Sequence, residues 1–293
     1  MRRAVVAILM SFAGAVVAQG GDPPPPIGKL VDVGGYRVHM HCTGEGSPTV
    51  FVIGGYSVDW DLVQPQVAKF TRICTYDVSG TAWSDGFHNH PGAALTCVDR
   101  VDEIHRLLNA AAIPGPYVFV GFSVGGLISR SYASKYPAEV SGVVFVDHAF
   151  TPRPPPRAAA PADSSRPVVI FQTPITFTAE DTSNFSNLPE RIRELHRWAA
   201  AREPEIDQSI TADDCEAELG KSTVKFSLAD MPLAVVSTGN EARGYKELQA
   251  ELLALSHNSR QLMATHSFHS VEIDQPEVVI EAIRDVVDRV RRK

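Results

Sequence analysis

The stretch that decides the fold is Tyr117-Val118-Phe119-Val120-Gly121-Phe122-Ser123-Val124-Gly125-Gly126-Leu127-Ile128. Four consecutive apolar residues rich in β-branched and aromatic types read as a buried strand, and Gly126-Leu127-Ile128 opens a helical pattern. Between them stands Gly121-Phe122-Ser123-Val124-Gly125, a G-x-S-x-G sequence. The five-residue pattern alone is weak, since roughly 0.1 chance matches are expected in a chain of this length. Its position between strand and helix gives it weight. A strand that turns sharply into a helix thrusts the central serine out at the sheet edge, and the flanking glycines leave room for the turn. The plainer alternative is a glycine-rich turn carrying an ordinary serine.

Working outward, apolar runs alternate with helical patterns, the signature of a parallel sheet covered by helices. Candidate strands are Leu30–Val33, Tyr36–Cys42, Thr49–Ile53, Ile73–Tyr76, Tyr117–Gly121, Gly142–Val146, Leu233–Ser237 and Gln261–Thr265, the first two joined by a Gly34-Gly35 turn. Candidate helices are Val98–Ala112, Val124–Tyr136, Tyr245–Leu255 and Pro276–Arg291. In the last, Val278, Val279, Ala282, Val286 and Val290 form one stripe. The alternation breaks between about 149 and 230. There a Pro/Ala-rich stretch precedes a helix over Pro189–Arg202, with Asn187 or Ser186 as its cap. An insertion at this point sits over the carboxyl ends of the strands, where ligands bind in open α/β sheets, and is expected to form a cap.

The chain has 293 residues, with 27 Lys and Arg against 34 Asp and Glu, a formal net charge of −7. That balance argues against a dedicated nucleic-acid binder, because phosphate recognition needs a clustered positive surface. At the start, Arg2-Arg3 precede an apolar run over Ala4–Ala18 that is shorter than a membrane span. This pattern reads as a secretory signal peptide over residues 1–18, followed by a Pro-rich spacer over 19–28 and the folded domain over 29–293; the alternative is an uncleaved anchor. Loss of the leader removes both arginines and takes the net charge to −9. The expected location is therefore secreted or periplasmic, with no stable membrane span after cleavage. That compartment permits disulfides among Cys42, Cys74, Cys97 and Cys215, which otherwise are buried thiols.

Several stretches together resemble the α/β-hydrolase family, in particular exported bacterial esterase-like members. They are Thr49–Tyr56, Tyr76-Asp77-Val78-Ser79-Gly80 with Trp83-Ser84-Asp85, Gly115–Gly121, the G-x-S-x-G turn, and the closing Asp274-Gln275-Pro276-Glu277. The resemblance covers nearly everything after residue 28, more loosely in the cap. It implies an eight-stranded, mostly parallel sheet with helices on both faces and a small helical cap. It also implies Ser123 as nucleophile and a histidine after the last strand as base. His269 falls at the right distance before Asp274; His266, at the strand end, is the second candidate. Two sites remain for the acid. Asp147 closes the sixth strand, and Glu241 lies in the loop after the seventh, where Ala242 stands at the position similar enzymes often give to Asp. Asp147 is preferred, because a short carboxylate fixed at a strand end suits orienting an imidazole.

The resemblance further implies backbone oxyanion donors at Val124 and Tyr56. Two departures are visible: Gly54-Gly55 stands where relatives often have His-Gly, and Phe122 where they often have His. A serine at the turn argues against haloalkane dehalogenase and epoxide hydrolase chemistry, which place Asp there. No metal or organic cofactor is implied, and the expected partner is a small-molecule ester. The family's neighbouring second and fourth strands imply a Cys42–Cys74 bridge, with Cys97–Cys215 as a further pairing. Phe122, Tyr56, Trp60, Phe177, Phe185 and Trp198 either line an acyl pocket or serve as ordinary core residues.

Overall fold

The computed structural model describes residues 23–86, 96–148, 183–202, 215, 219, 227–239 and 245–293. The leader expected over 1–18, most of the cap stretch, Phe177 and Glu241 lie outside the described residues.

Eight strands form one sheet: β1 (Lys29–Asp32), β2 (Arg37–Thr43), β3 (Thr49–Ile53), β4 (Ile73–Tyr76), β5 (Tyr117–Phe122), β6 (Val140–Val146), β7 (Leu233–Thr238) and β8 (Ser259–Ala264). Their spatial order is β1-β2-β4-β3-β5-β6-β7-β8. β2 runs antiparallel to both β1 and β4, and the pairs from β4 through β8 are parallel. The chain order of the parallel strands reverses beside β3, which leaves a crevice at their carboxyl ends.

The central strands are apolar throughout because both faces are covered. Their residues alternate between the two sides of the sheet. Phe51, Ile53, Phe119, Phe145 and Val235 join one core, while Val50, Val52, Val118, Val120, Val144, Val146 and Val236 join the other. The first core is covered by α2 (Cys97–Ala110), α3 (Gly125–Lys135) and α5 (Tyr245–Leu253), through Val101, Ile104, Leu107, Leu127 and Leu252. The second is covered by α1 (Gln64–Val67) and α7 (Pro276–Arg291), through Val67, Val279, Ala282, Ile283 and Val286. Ile283 is fully buried, so its truncation to Ala costs about 2–5 kcal/mol. The stripe read from the sequence is the buried face of α7, with Val278 and Val290 at its margins.

Within the cap stretch, helix α4 (Glu190–Ala200) is the longest described element. It starts after Pro189, with no side chain capping it, so neither Asn187 nor Ser186 is the cap. Asn187 is used differently: its Nδ2 donates to the Ile273 carbonyl 3.3 Å away, in the short helix α6 (Val271–Asp274). Leu195 and Ala199 of α4 pack on Val58, Ala82 and Trp83, so α4 seats on loops at the carboxyl ends of β3 and β4. The stretch expected as a spacer is docked at its end. The Pro24 carbonyl accepts from Trp83 Nε1 at 2.7 Å, and the Gly28 N–H donates to His39 Nε2 at 3.0 Å.

Cys42 is bonded to Cys74, facing each other across β2 and β4, and Cys97 to Cys215. Both pairings are those the resemblance implied. No helix among the described residues is long and apolar enough to cross a membrane.

Candidate active site

Register places the carboxyl ends of β3, β5, β6 and β7 side by side: Ile53 lies opposite Gly121, Phe122 opposite Val146, and Val146 opposite Val236. The residues that follow these ends converge on one crevice.

Ser123 leaves β5 with φ +52°, in the left-handed region that a non-glycine residue rarely occupies. The surrounding structure holds it there. Its N–H donates to the Val146 carbonyl at 3.1 Å, and its carbonyl accepts from the Gly126 N–H at 3.1 Å. The tightness of the turn explains Gly125: a Cβ there would lie 2.0 Å from the Ile53 carbonyl oxygen. Ser123 is half-buried, and α3 begins immediately behind it. No described residue accepts a hydrogen bond from the Val124 N–H, which lies at the mouth of that helix.

Asp147 leaves β6 in the same conformation, with φ +41°, and is buried. Its Oδ2 accepts from His269 Nδ1 at 2.6 Å. Its Oδ1 accepts from the Tyr245 hydroxyl at 2.6 Å and the Thr238 hydroxyl at 3.2 Å. Both carboxylate oxygens are therefore committed, and the direction of the group is fixed. Tyr245 is itself fixed by the Thr238 N–H, which donates to its oxygen at 2.9 Å. Burial and the adjacent Asp147 charge push the Tyr245 phenol up to about 12, so it remains a donor at physiological pH.

His269 lies in the loop between β8 and α6, with its ring 4.8 Å from that of Phe122, the residue before Ser123. The Asp274-Gln275-Pro276 sequence explains how this loop is held. The Asp274 carboxylate accepts from the Phe268 N–H at 3.0 Å and the Ser267 hydroxyl at 3.2 Å. Gln275 Oε1 accepts from the His266 N–H at 2.7 Å, and Pro276 opens α7. His266 is exposed and contributes this backbone contact. Among the sequence candidates for base, His269 is the one joined to Asp147.

His148 is not among the candidate residues read from the sequence. Fully buried, it donates from Nδ1 to the Ser123 carbonyl at 2.9 Å. Burial, followed by the Arg130 charge, pushes its imidazole down to about 3, so it is neutral at working pH. Its own carbonyl accepts from Gln249 Nε2 at 2.9 Å. His148 thus ties the serine turn to Gln249 of α5. The only signal in the sequence is its adjacency to Asp147.

The loop after β3 departs from expectation in detail. Gly54 has φ +113°, and a Cβ there would meet the Phe122 carbonyl oxygen at 2.5 Å, so the Gly54-Gly55 pair serves the close approach of β3 to the serine turn. The Tyr56 N–H, the expected second oxyanion donor, donates to Asp59 Oδ2 at 3.0 Å. Trp60 is core, its Nε1 bonded to the Gly54 carbonyl, and Trp198 packs on Trp83. Nearby, Glu272 is fully buried, and its Oε2 has no hydrogen-bond partner among the described residues. Burial pushes its carboxyl well above the ordinary range, and the negative charges of Asp59, Asp274 and Asp147 add to the effect.

A family model described as alpha/beta hydrolase fold matches residues 50–194. With the strand order and the serine turn, this makes the chain a member of the α/β-hydrolase family. The Bacillus subtilis protein YqjL, which is uncharacterised, is 24% identical over 273 residues, spanning 88% of this chain and 91% of its own. The chain covers under half the length of two longer fungal relatives, from Schizosaccharomyces pombe and Hormonema carpetanum. Among solved structures, an epoxide hydrolase from Vigna radiata aligns with a TM-score of 0.68 at 14% identity, covering 89% of this chain and 97% of that one. A thermophilic esterase from Thermogutta terrifontis aligns with a TM-score of 0.62 at 21% identity, covering 87% and 94%. At these identities the likeness is one of fold.

Proposed function

We propose that the chain is a serine hydrolase that cleaves a small-molecule carboxylic ester through an acyl-enzyme intermediate. The observation that carries the reading is the His269–Asp147 bond of 2.6 Å beside a serine held at φ +52°. A serine hydroxyl is a weak nucleophile until a base takes its proton. With Nδ1–H given to Asp147, the other ring nitrogen of His269 is the basic one, and Asp147 stabilises the imidazolium that forms. Ser123 Oγ attacks the ester carbonyl carbon, and His269 receives the proton. The imidazolium then protonates the departing alkoxide. In the second half His269 takes a proton from water as the water oxygen attacks the acyl carbon; the intermediate then expels Ser123 Oγ, which takes that proton back from the imidazolium, and the carboxylic acid leaves. The backbone N–H groups of Val124 and Tyr56 hold the oxyanion. Epoxide hydrolases among the structural neighbours do not change this reading, because Ser123 stands where that chemistry needs a carboxylate.

The two disulfides support a secreted or periplasmic location, and the family supports a small molecule as substrate. A panel of p-nitrophenyl esters set against aminoacyl-arylamides tests the substrate class. Ester turnover abolished by Ser123→Ala is expected; amide turnover without ester turnover would point to an aminopeptidase on the same triad. A non-catalytic binding role draws on one observation, the Tyr56 amide engaged by Asp59.

A further inference from the structure

Two of the bonds around Asp59 join parts of the molecule that the proposed mechanism treats separately. Asp59 is 5% exposed and sits in the turn Ser57–Trp60 after β3. Its Oδ2 accepts from the Tyr56 N–H at 3.0 Å, while its own N–H donates to the Tyr56 carbonyl at 3.0 Å. Its Oδ1 accepts from Nδ1 of His196 on α4 at 2.7 Å. The His196 ring lies 4.1 Å from that of Phe185 and 5.5 Å from that of Tyr56, so its position is set by packing as well as by the bond. One carboxylate therefore links an amide of the oxyanion loop to a side chain of the cap helix.

This arrangement works against oxyanion formation in two ways. The donor is already occupied, and a negative charge stands beside the amide where negative charge must develop. Displacing the carboxylate does not require unfolding the turn, because the bond from the Asp59 N–H to the Tyr56 carbonyl is independent of the side chain.

We propose that Asp59 and His196 are positioning residues that withhold the Tyr56 amide from substrate while α4 is docked. Asp59 acts through the amide, and His196 acts through Asp59. The amide serves the oxyanion only after the Asp59 carboxylate turns away, so cap position and oxyanion-hole competence are coupled through this one side chain. The inference rests on Ser123 being the nucleophile.

The test uses the full-length oxidised protein, wild type and the variants Asp59→Asn, Asp59→Ala and His196→Phe. Asp59→Asn keeps the shape, so it remains informative if Asp59→Ala does not fold. The first readout is the Tyr56 amide signal in a ¹H–¹⁵N correlation spectrum, which needs no catalysis. A strong bond to a carboxylate holds that proton downfield; the signal moves upfield in Asp59→Asn and further in Asp59→Ala. The second readout is the second-order rate of Ser123 modification by an alkyl fluorophosphonate. It should rise at least threefold in Asp59→Ala, less in Asp59→Asn, and also in His196→Phe. A Tyr56 signal that stays in place in both Asp59 variants overturns the proposal. So does a fall in modification rate in folded variants, which would make Asp59 a support of the loop. Absence of modification in wild type and every variant overturns the reading of Ser123 and with it the gating role. The amide signal reports the Asp59 contact separately, so the two failures are told apart.

Discussion

His269 Nδ1 and Asp147 Oδ2 meet at 2.6 Å across 122 residues of sequence, one from the loop after β8 and the other from the end of β6. The carboxylate that meets His269 therefore comes from the end of the sixth strand, and under the proposed mechanism it is the acid. Replacing Asp147 with Asn leaves the shape and removes the charge that orients and stabilises the imidazolium. Ester kcat should fall about a thousandfold or more. Glu241→Gln should change kcat less than twofold, about 0.4 kcal/mol or less in activation free energy. Steady-state kinetics on a p-nitrophenyl ester check both variants.

Tyr245 completes the holding of Asp147, since its hydroxyl donates at 2.6 Å to the oxygen that His269 does not use. A hydrogen bond to a charged group is worth about 1.5–3 kcal/mol, so Tyr245→Phe should lower kcat by about tenfold or more. KM should stay within about twofold, because the phenol acts on the acid and not on the substrate. A rise in KM with unchanged kcat would place Tyr245 in substrate binding.

Glu272 makes stability depend on pH in a direction opposite to most carboxylates. Its pKa is raised in the folded protein by burial. The folded state therefore holds a proton that the unfolded chain releases above its ordinary value near 4.5. Stability from this group is fully present below that value and is lost as pH rises from there toward the folded pKa. Glu272→Gln removes the penalty, so it should raise Tm, and by more at pH 8 than at pH 5. Thermal melts of both proteins at the two pH values check the sign.

The bridges set a further expectation. Oxidised, denatured protein should give no titratable thiol, and fully reduced protein should give four. The Cys97–Cys215 bridge closes 118 residues and the Cys42–Cys74 bridge 32. On loop-closure entropy, replacing the first pair with Ala destabilises by about 1 kcal/mol more than replacing the second. Denaturant unfolding of the two double variants measures the difference.

Much of this was legible in the residues. Strands such as Val118–Val120 and Val143–Val146 announce themselves because a sheet covered on both faces needs apolar side chains in both directions. The serine turn is visible because its geometry tolerates only glycine at Gly125. The partner of His269 was legible only as a choice between Asp147 and Glu241, which tertiary packing decides. Tyr245 and Thr238 gave no sign, because a tyrosine at the start of an amphipathic helix reads as core. Asp59 did carry a local signal: an acidic residue three positions after Tyr56 can reach back to its amide, as in a capping box. That short-range bond competes with the oxyanion role assigned to the same N–H.

The central claim, that Ser123 is a nucleophile activated by His269 and Asp147, is tested most directly by fluorophosphonate labelling followed by intact-mass and peptide mass spectrometry. A single adduct on Ser123 is expected in folded wild-type protein, none in Ser123→Ala, and strongly slowed labelling in His269→Ala. A folded wild-type protein that takes no label, or that carries it on another residue, would contradict it.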